Sequence, residues 1–221
     1  MGLLAVLLLA APETYTGKYA EDPRFHAVAS TIPSRSAAAL RRIGALLGHE
    51  VPGPFEIRFE DAGKSRSGAW AEVRDGERGP VLVLFSEWLL IGAYDLDATL
   101  VHELYHCVQR RKLGRRHEAA PRWAREGSAL YVAGQADDKA YALAAHVGVD
   151  PRIEDPVGRL VNGLDGAHTL LDYFEDVAAF LAAERRHGRA KTVALLNRLL
   201  ETEDAAAAVR DALGEEFAAF E

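Results

Sequence analysis

Two histidines four residues apart, in the run His102-Glu103-Leu104-Tyr105-His106, constrain this chain more than any other feature. On a helix their rings leave one face a single turn apart, the spacing at which two imidazoles share one zinc ion. Glu103 stands about 100° round the same helix, where it reaches a water on the metal and leaves the metal to the histidines. The flanking residues support a helix. Asp97 reads as its N-cap, residues 98–112 hold no Gly or Pro, and Gly114 reads as its stop. Leu100, Leu104 and Val108 repeat along one face. The competing reading is a surface helix carrying two solvated histidines.

A catalytic zinc takes three protein ligands and keeps its fourth position for water, so two histidines are one ligand short. Residues 121–131, Pro-Arg-Trp-Ala-Arg-Glu-Gly-Ser-Ala-Leu-Tyr, read as a second helix, with Pro121 in its first turn and Gly134 at its end. The chain turns back between the helices through Gly114 and the polar stretch to Pro121. Glu126 can then be the third ligand, and Gly127 and Ala129 are small enough for a close helix approach. A helical glutamate is also commonly a plain solvated carboxylate; Trp123, Gly127 and Ala129 around this one weigh against that. A metzincin would place Gly and His where this chain has Gln109 and Lys112, and the inverted motif H-x-x-E-H is absent.

These two segments together resemble the gluzincin metallopeptidases, and within them the bacterial peptidase-MA-like group, whose pattern is H-E-x-x-H followed by W-x-x-E-G-x-A-x-Y. The likeness extends from Phe55 to Glu221, with Tyr173 and Gly188 matching a Tyr that opens a C-terminal helix and a Gly that ends it. The resemblance implies a zincin-like fold, zinc held by His102, His106 and Glu126, and Glu103 as catalytic base. It also implies Tyr173 as a donor to the oxyanion; Tyr131 and His168 are weaker alternatives that the resemblance does not supply. One departure stands out. Some gluzincins place an Asp four residues after the third ligand to orient a histidine, and this chain has Leu130 there.

With 221 residues, 49% of them hydrophobic, the chain can bury one sizeable core. The expected organisation is a signal-like apolar segment over 1–11 and one metallopeptidase-like domain over 24–221. Residues 24–96 supply a helix and a sheet, and 97–221 a helical part with the zinc site. Residues 2–11 match the apolar region and small-residue end of a secretory signal peptide, but lack a positive leader beyond the amino terminus. Export and a buried first element therefore both stay open. The run is too short to span a bilayer, and no other segment approaches that length. A net charge of −7 argues against a nucleic-acid partner. Arg110, Arg111, Lys112, Arg115, Arg116, Arg122 and Arg125 form a local basic cluster, read as helix-end cations and a solvated loop rather than a docking patch. Cys107, the single cysteine, excludes an intrachain disulfide and points off the two-histidine face, as a buried thiol would.

Along the rest of the chain, 12–30 reads as loosely structured and 34–47 as a helix stopped by Gly48. Phe55 to Phe59 alternates as a half-buried strand, 69–73 reads as a second strand, and 81–85 as a central one. Residues 75–79 mark a turn. After the motifs, 138–147 reads as a short helix, 148–168 as a loop, and Thr169 with Asp172 as a capping-box start to a helix ending at Gly188. Residues 190–200 and 205–213 read as two more helices, the last stopped by Gly214. The class is α+β, a small antiparallel or mixed sheet ahead of the H-E-x-x-H helix, then mainly helix. His26, His49, His117, His146 and His187 have no ligand-like spacing and read as ordinary surface or loop residues.

The expected activity is zinc-dependent hydrolysis of peptide bonds in a peptide or protein substrate, with Glu103 shuttling the proton. The alternatives are a catalytically silent zinc-braced binding or adaptor module and a metal-free helical domain.

Overall fold

The computed structural model describes residues 15–53, 55–64, 71–92, 95–135 and 170–215, and of 170–175 the backbone alone. The expectations for 2–11, 138–168 and Thr169 lie outside these residues. Contacts divide the chain into two compact units, Met1–Arg111 and Lys112–Glu221.

The first unit holds a three-stranded mixed sheet, which with the surrounding helices gives the α+β class. Strands β1 (Glu56–Glu60), β2 (Ala71–Gly76) and β3 (Gly79–Phe85) lie in the order β1-β3-β2. β3 pairs in parallel with β1 (Ile57 against Leu82) and antiparallel with β2 (Val73 against Leu82), the latter through the turn at Glu77 and Arg78. Pro80 to Phe85 are all buried, as a continuous apolar run in a central strand requires. β1 keeps the alternation of a half-buried strand: Ile57 and Phe59 are buried and Arg58 is exposed. Of the strand expected over 69–73, residues 71–73 lie in β2, which runs on to Gly76, and residues 69–70 lie outside the described residues. One side chain spans the sheet: Arg74 of β2 lies 3.0 Å from both Glu60 and Glu72 and packs over the Phe85 ring.

Residues 12–30, expected to be loose, contain helix α1 (Pro23–Ala29). Asp22 caps it by accepting from the Arg24 amide at 2.8 Å, and Pro23 fits the first turn. Its Phe25 is fully buried against Tyr15 and Phe59. Helix α2 (Ile32–Leu47) begins two residues before the expected start and ends at Gly48; its buried face is Ile32, Ser36, Ala39, Ile43 and Leu47. Helix α3 (Ser86–Ile91) follows β3 without a break and was not foreseen. A polar knot joins these pieces. The Tyr15 hydroxyl is hydrogen-bonded to the Asp61 carboxylate and, at 2.9 Å, to the Ser86 hydroxyl. The Lys18 amide donates to Asp61 at 3.1 Å and the Ala62 amide to Glu87 at 2.6 Å. The Tyr15 hydrogen bond, chief among the causes, holds the Asp61 carboxyl below its usual range. Burial, then the Asp61 contact, pushes the Tyr15 phenol up.

Helix α4 (Leu96–Leu113) carries the two histidines. Asp95 is its cap: Asp95 Oδ1 accepts from the amides of Asp97 (2.9 Å) and Ala98 (3.0 Å). The expected cap, Asp97, sits in the first turn and pairs with Arg35 of α2 at 2.7 Å. Two aspartates two residues apart both fit a cap, and the extra hydrogen-bonded turn selects the earlier one.

In the second unit a 3₁₀ helix (Gly114–Ala119) is followed by a π-helical turn (Trp123–Gly127) and α5 (Ser128–Ala133). Then come α6 (Leu170–His187), α7 (Arg189–Leu199) and α8 (Ala205–Leu213). Gly114 at φ +59° takes the left-handed conformation that ends α4. The three-residue period of the 3₁₀ helix then sets His117 on the side of buried Ala120. His117 is buried at 3% exposure, where an ordinary surface or loop histidine was expected. The π turn and α5 lie on α6: Trp123 and Tyr131 both pack on Phe180, with ring centroids 5.8 Å apart in each case. Among the described residues no helix is long and apolar enough to cross a membrane.

Candidate metal centre

Helix α4 turns His106 inward, leaving it 8% exposed, and His102 and Glu103 half-buried. Leu100, Val101, Leu104, Tyr105, Cys107 and Val108 are buried, so the motif lies in a helix packed round most of its circumference. Cys107 is a fully buried free thiol. Burial, with the Glu103 carboxylate adding to it, pushes its thiol far above the ordinary range.

The two imidazoles face each other, with His106 Nε2 3.1 Å from His102 Nε2. Two nitrogens bound at about 2.0–2.1 Å to one tetrahedral ion stand about 3.3–3.4 Å apart. The pair is therefore within a few tenths of an ångström of the separation that shared coordination demands. His102, His106 and Glu126 each offer one ligand atom to a metal ion. Two imidazoles and a carboxylate form a donor set that suits zinc and leaves a tetrahedral ion one position for water.

Glu126 lies in the π-helical turn, half-buried between buried Ala124 and Gly127. Several contacts hold this segment to α6. Arg122 pairs with the buried Asp176 at 3.1 Å, and the Tyr131 hydroxyl donates to Glu184 at 2.6 Å. The space beside Gly127 is filled by the main-chain carbonyl of Asp176. Ser128 Oγ lies 2.5 Å from the Ala124 carbonyl and 3.0 Å from that of Arg125, a side chain taking up carbonyls within the widened turn. Single π turns inside helices recur at functional sites.

Tyr173 belongs to α6, but its side chain lies outside the described residues, as does all of His168. Tyr131 is committed to Glu184, and burial followed by that contact pushes its phenol strongly up. The basic cluster is largely spoken for. Arg110 pairs with Asp75, Arg116 with Glu203, Arg122 with Asp176 and Arg125 with Glu118, while Arg111 stacks over Phe55. These pairings favour structural roles over a docking patch.

The chain matches no protein-family model, no curated protein and no solved structure.

One residue of the site escaped the sequence argument. Gln109, 3% exposed, places Oε1 2.8 Å from His106 Nδ1. Its spacing of three from His106 on one helix is the available signal, since residues three apart are neighbours on a helix surface.

Proposed function

We propose that this protein is a zinc-dependent peptidase in which His102, His106 and Glu126 hold the metal and Glu103 moves the proton. The observation that carries it is the His102–His106 pair on α4, whose Nε2 atoms lie 3.1 Å apart, with Glu126 offering the carboxylate. Bound there, zinc lowers the pKa of water towards about 7 and polarises a carbonyl oxygen. Glu103 follows His102 directly and lies off the two-histidine face, so it takes the part of a base rather than of a ligand. It takes one proton from the attacking water as the water oxygen bonds to the peptide carbonyl carbon. It then delivers that proton to the amine nitrogen as the carbon–nitrogen bond breaks. The products are a carboxylic acid, which releases its proton to solvent, and an amine, and Glu103 ends as it began. Tyr173 is proposed as an oxyanion donor on the family resemblance alone; such donors are worth about 3–4 kcal/mol.

The experiment is a zinc determination on protein purified without a histidine tag, paired with cleavage of a peptide library by wild type and Glu103→Gln. Zinc bound in both and cleavage lost in Glu103→Gln supports the proposal. Equal cleavage by both defeats the role of Glu103. Zinc bound by a chain that cuts nothing points to a metal-braced binding module.

A further inference from the structure

We infer that Gln109 is the positioning residue for His106, fixing which nitrogen of that ring faces the metal. The inference rests on His106 being a metal ligand, as proposed above. A neutral imidazole carries one N–H and one bare nitrogen, and only the bare one binds a cation. His106 Nδ1 lies 2.8 Å from Gln109 Oε1. An amide oxygen accepts and does not donate, so the ring proton sits on Nδ1. The lone pair is then on Nε2, the nitrogen that faces His102 at 3.1 Å.

The arrangement is local and dry. Gln109 is 3% exposed, so bulk water does not compete for the imidazole N–H. Both residues lie on α4 three positions apart, so the contact needs no second element to form. Leu130, 2% exposed, stands where some gluzincins have an orienting carboxylate. Here the helix that bears the histidines brings its own acceptor for one of them. A neutral amide also makes the ring a weaker donor to the metal than a carboxylate would.

The test uses the full chain without a histidine tag and Zn²⁺ as the probe, with affinity read by competition against a chromogenic chelator. Gln109→Leu removes the acceptor and should weaken binding about 10–100-fold. Gln109→Glu keeps an acceptor and should bind at least as tightly as wild type. Wild-type affinity in Gln109→Leu overturns the inference. Equal weakening in both variants also overturns it, because packing rather than the acceptor would then matter. A second readout needs no metal. Nitrogen NMR of the metal-free protein should show His106 protonated at Nδ1 in wild type and shifted towards Nε2–H in Gln109→Leu; an Nε2–H ring in wild type defeats the role of Gln109. Failure of wild type to bind Zn²⁺ removes the proposed function instead, and the ring tautomer still judges Gln109.

Discussion

A methyl group on Gly127 would overlap the main-chain carbonyl oxygen of Asp176. The obstacle is backbone, which cannot rotate aside as a flexible side chain can. Gly127→Ala should therefore push the π turn away from α6, at a cost of about 1–3 kcal/mol for overpacking. Because Glu126 is the adjacent residue, zinc affinity should fall as well. Urea unfolding together with a zinc titration checks both effects, and a variant unchanged in both would show that α6 does not hold this turn.

The Tyr131–Glu184 contact ties α5 to α6. A neutral hydroxyl bound to a carboxylate at 2.6 Å belongs to the stronger class of hydrogen bond, discounted here because both groups are only half-buried. Tyr131→Phe keeps the ring on Phe180 and should cost about 1–2 kcal/mol of unfolding free energy. A midpoint of urea denaturation equal to that of wild type would mean the clasp adds nothing.

The Asp61 knot should make stability depend on pH in a definite direction. The folded carboxyl titrates below its unfolded value of about 3.9, so its contribution is full above that value and is lost as the pH falls through the folded value. The Tyr15 phenol is raised instead, so its share is present below about pH 10 and is lost as the pH rises beyond. Asp61→Asn should melt lower than wild type at pH 6, and the two melting temperatures should converge on acidification to about pH 2. A gap that stays constant across that range would remove the carboxylate from the explanation.

Metal linkage gives a stability test of the proposed centre. A ligand that binds only the folded chain, at about 100 times its dissociation constant, stabilises by about 2.7 kcal/mol. Dialysis against a chelator should lower the melting temperature of wild type and of Glu103→Gln. It should leave His102→Ala and Glu126→Ala unchanged, since each of those loses a ligand. A wild-type melting curve indifferent to chelator would count against any bound metal.

Much of this architecture was legible as periodicity and punctuation. The leucine repeat of α4, the apolar run of β3 and the glycines that end α2, α4, α5 and α8 each mark an element by local chemistry. What escaped notice had no periodic trace. α3 is six residues long, too short to show a helical stripe, and it continues straight from a strand of similar composition. The π turn is a backbone register, and Trp-Ala-Arg-Glu-Gly reads as ordinary helix. The burial of His117 follows from a 3₁₀ period that polar residues on either side conceal. Gln109 was visible only as the residue that excludes a metzincin, because a hydrogen-bond partner is recognised by orientation as well as spacing.

The mixed pairing of β3 sets an order of assembly. Its antiparallel neighbour β2 is joined to it by two residues, so that hairpin closes locally, on a scale of about 1–10 microseconds for isolated hairpins. Its parallel neighbour β1 pairs Glu56 with Val81 and must be brought in over a longer loop, at a greater loss of chain freedom. Strand β1 should therefore pair after the hairpin has closed, and its amides should exchange with solvent hydrogen sooner than those linking β2 to β3.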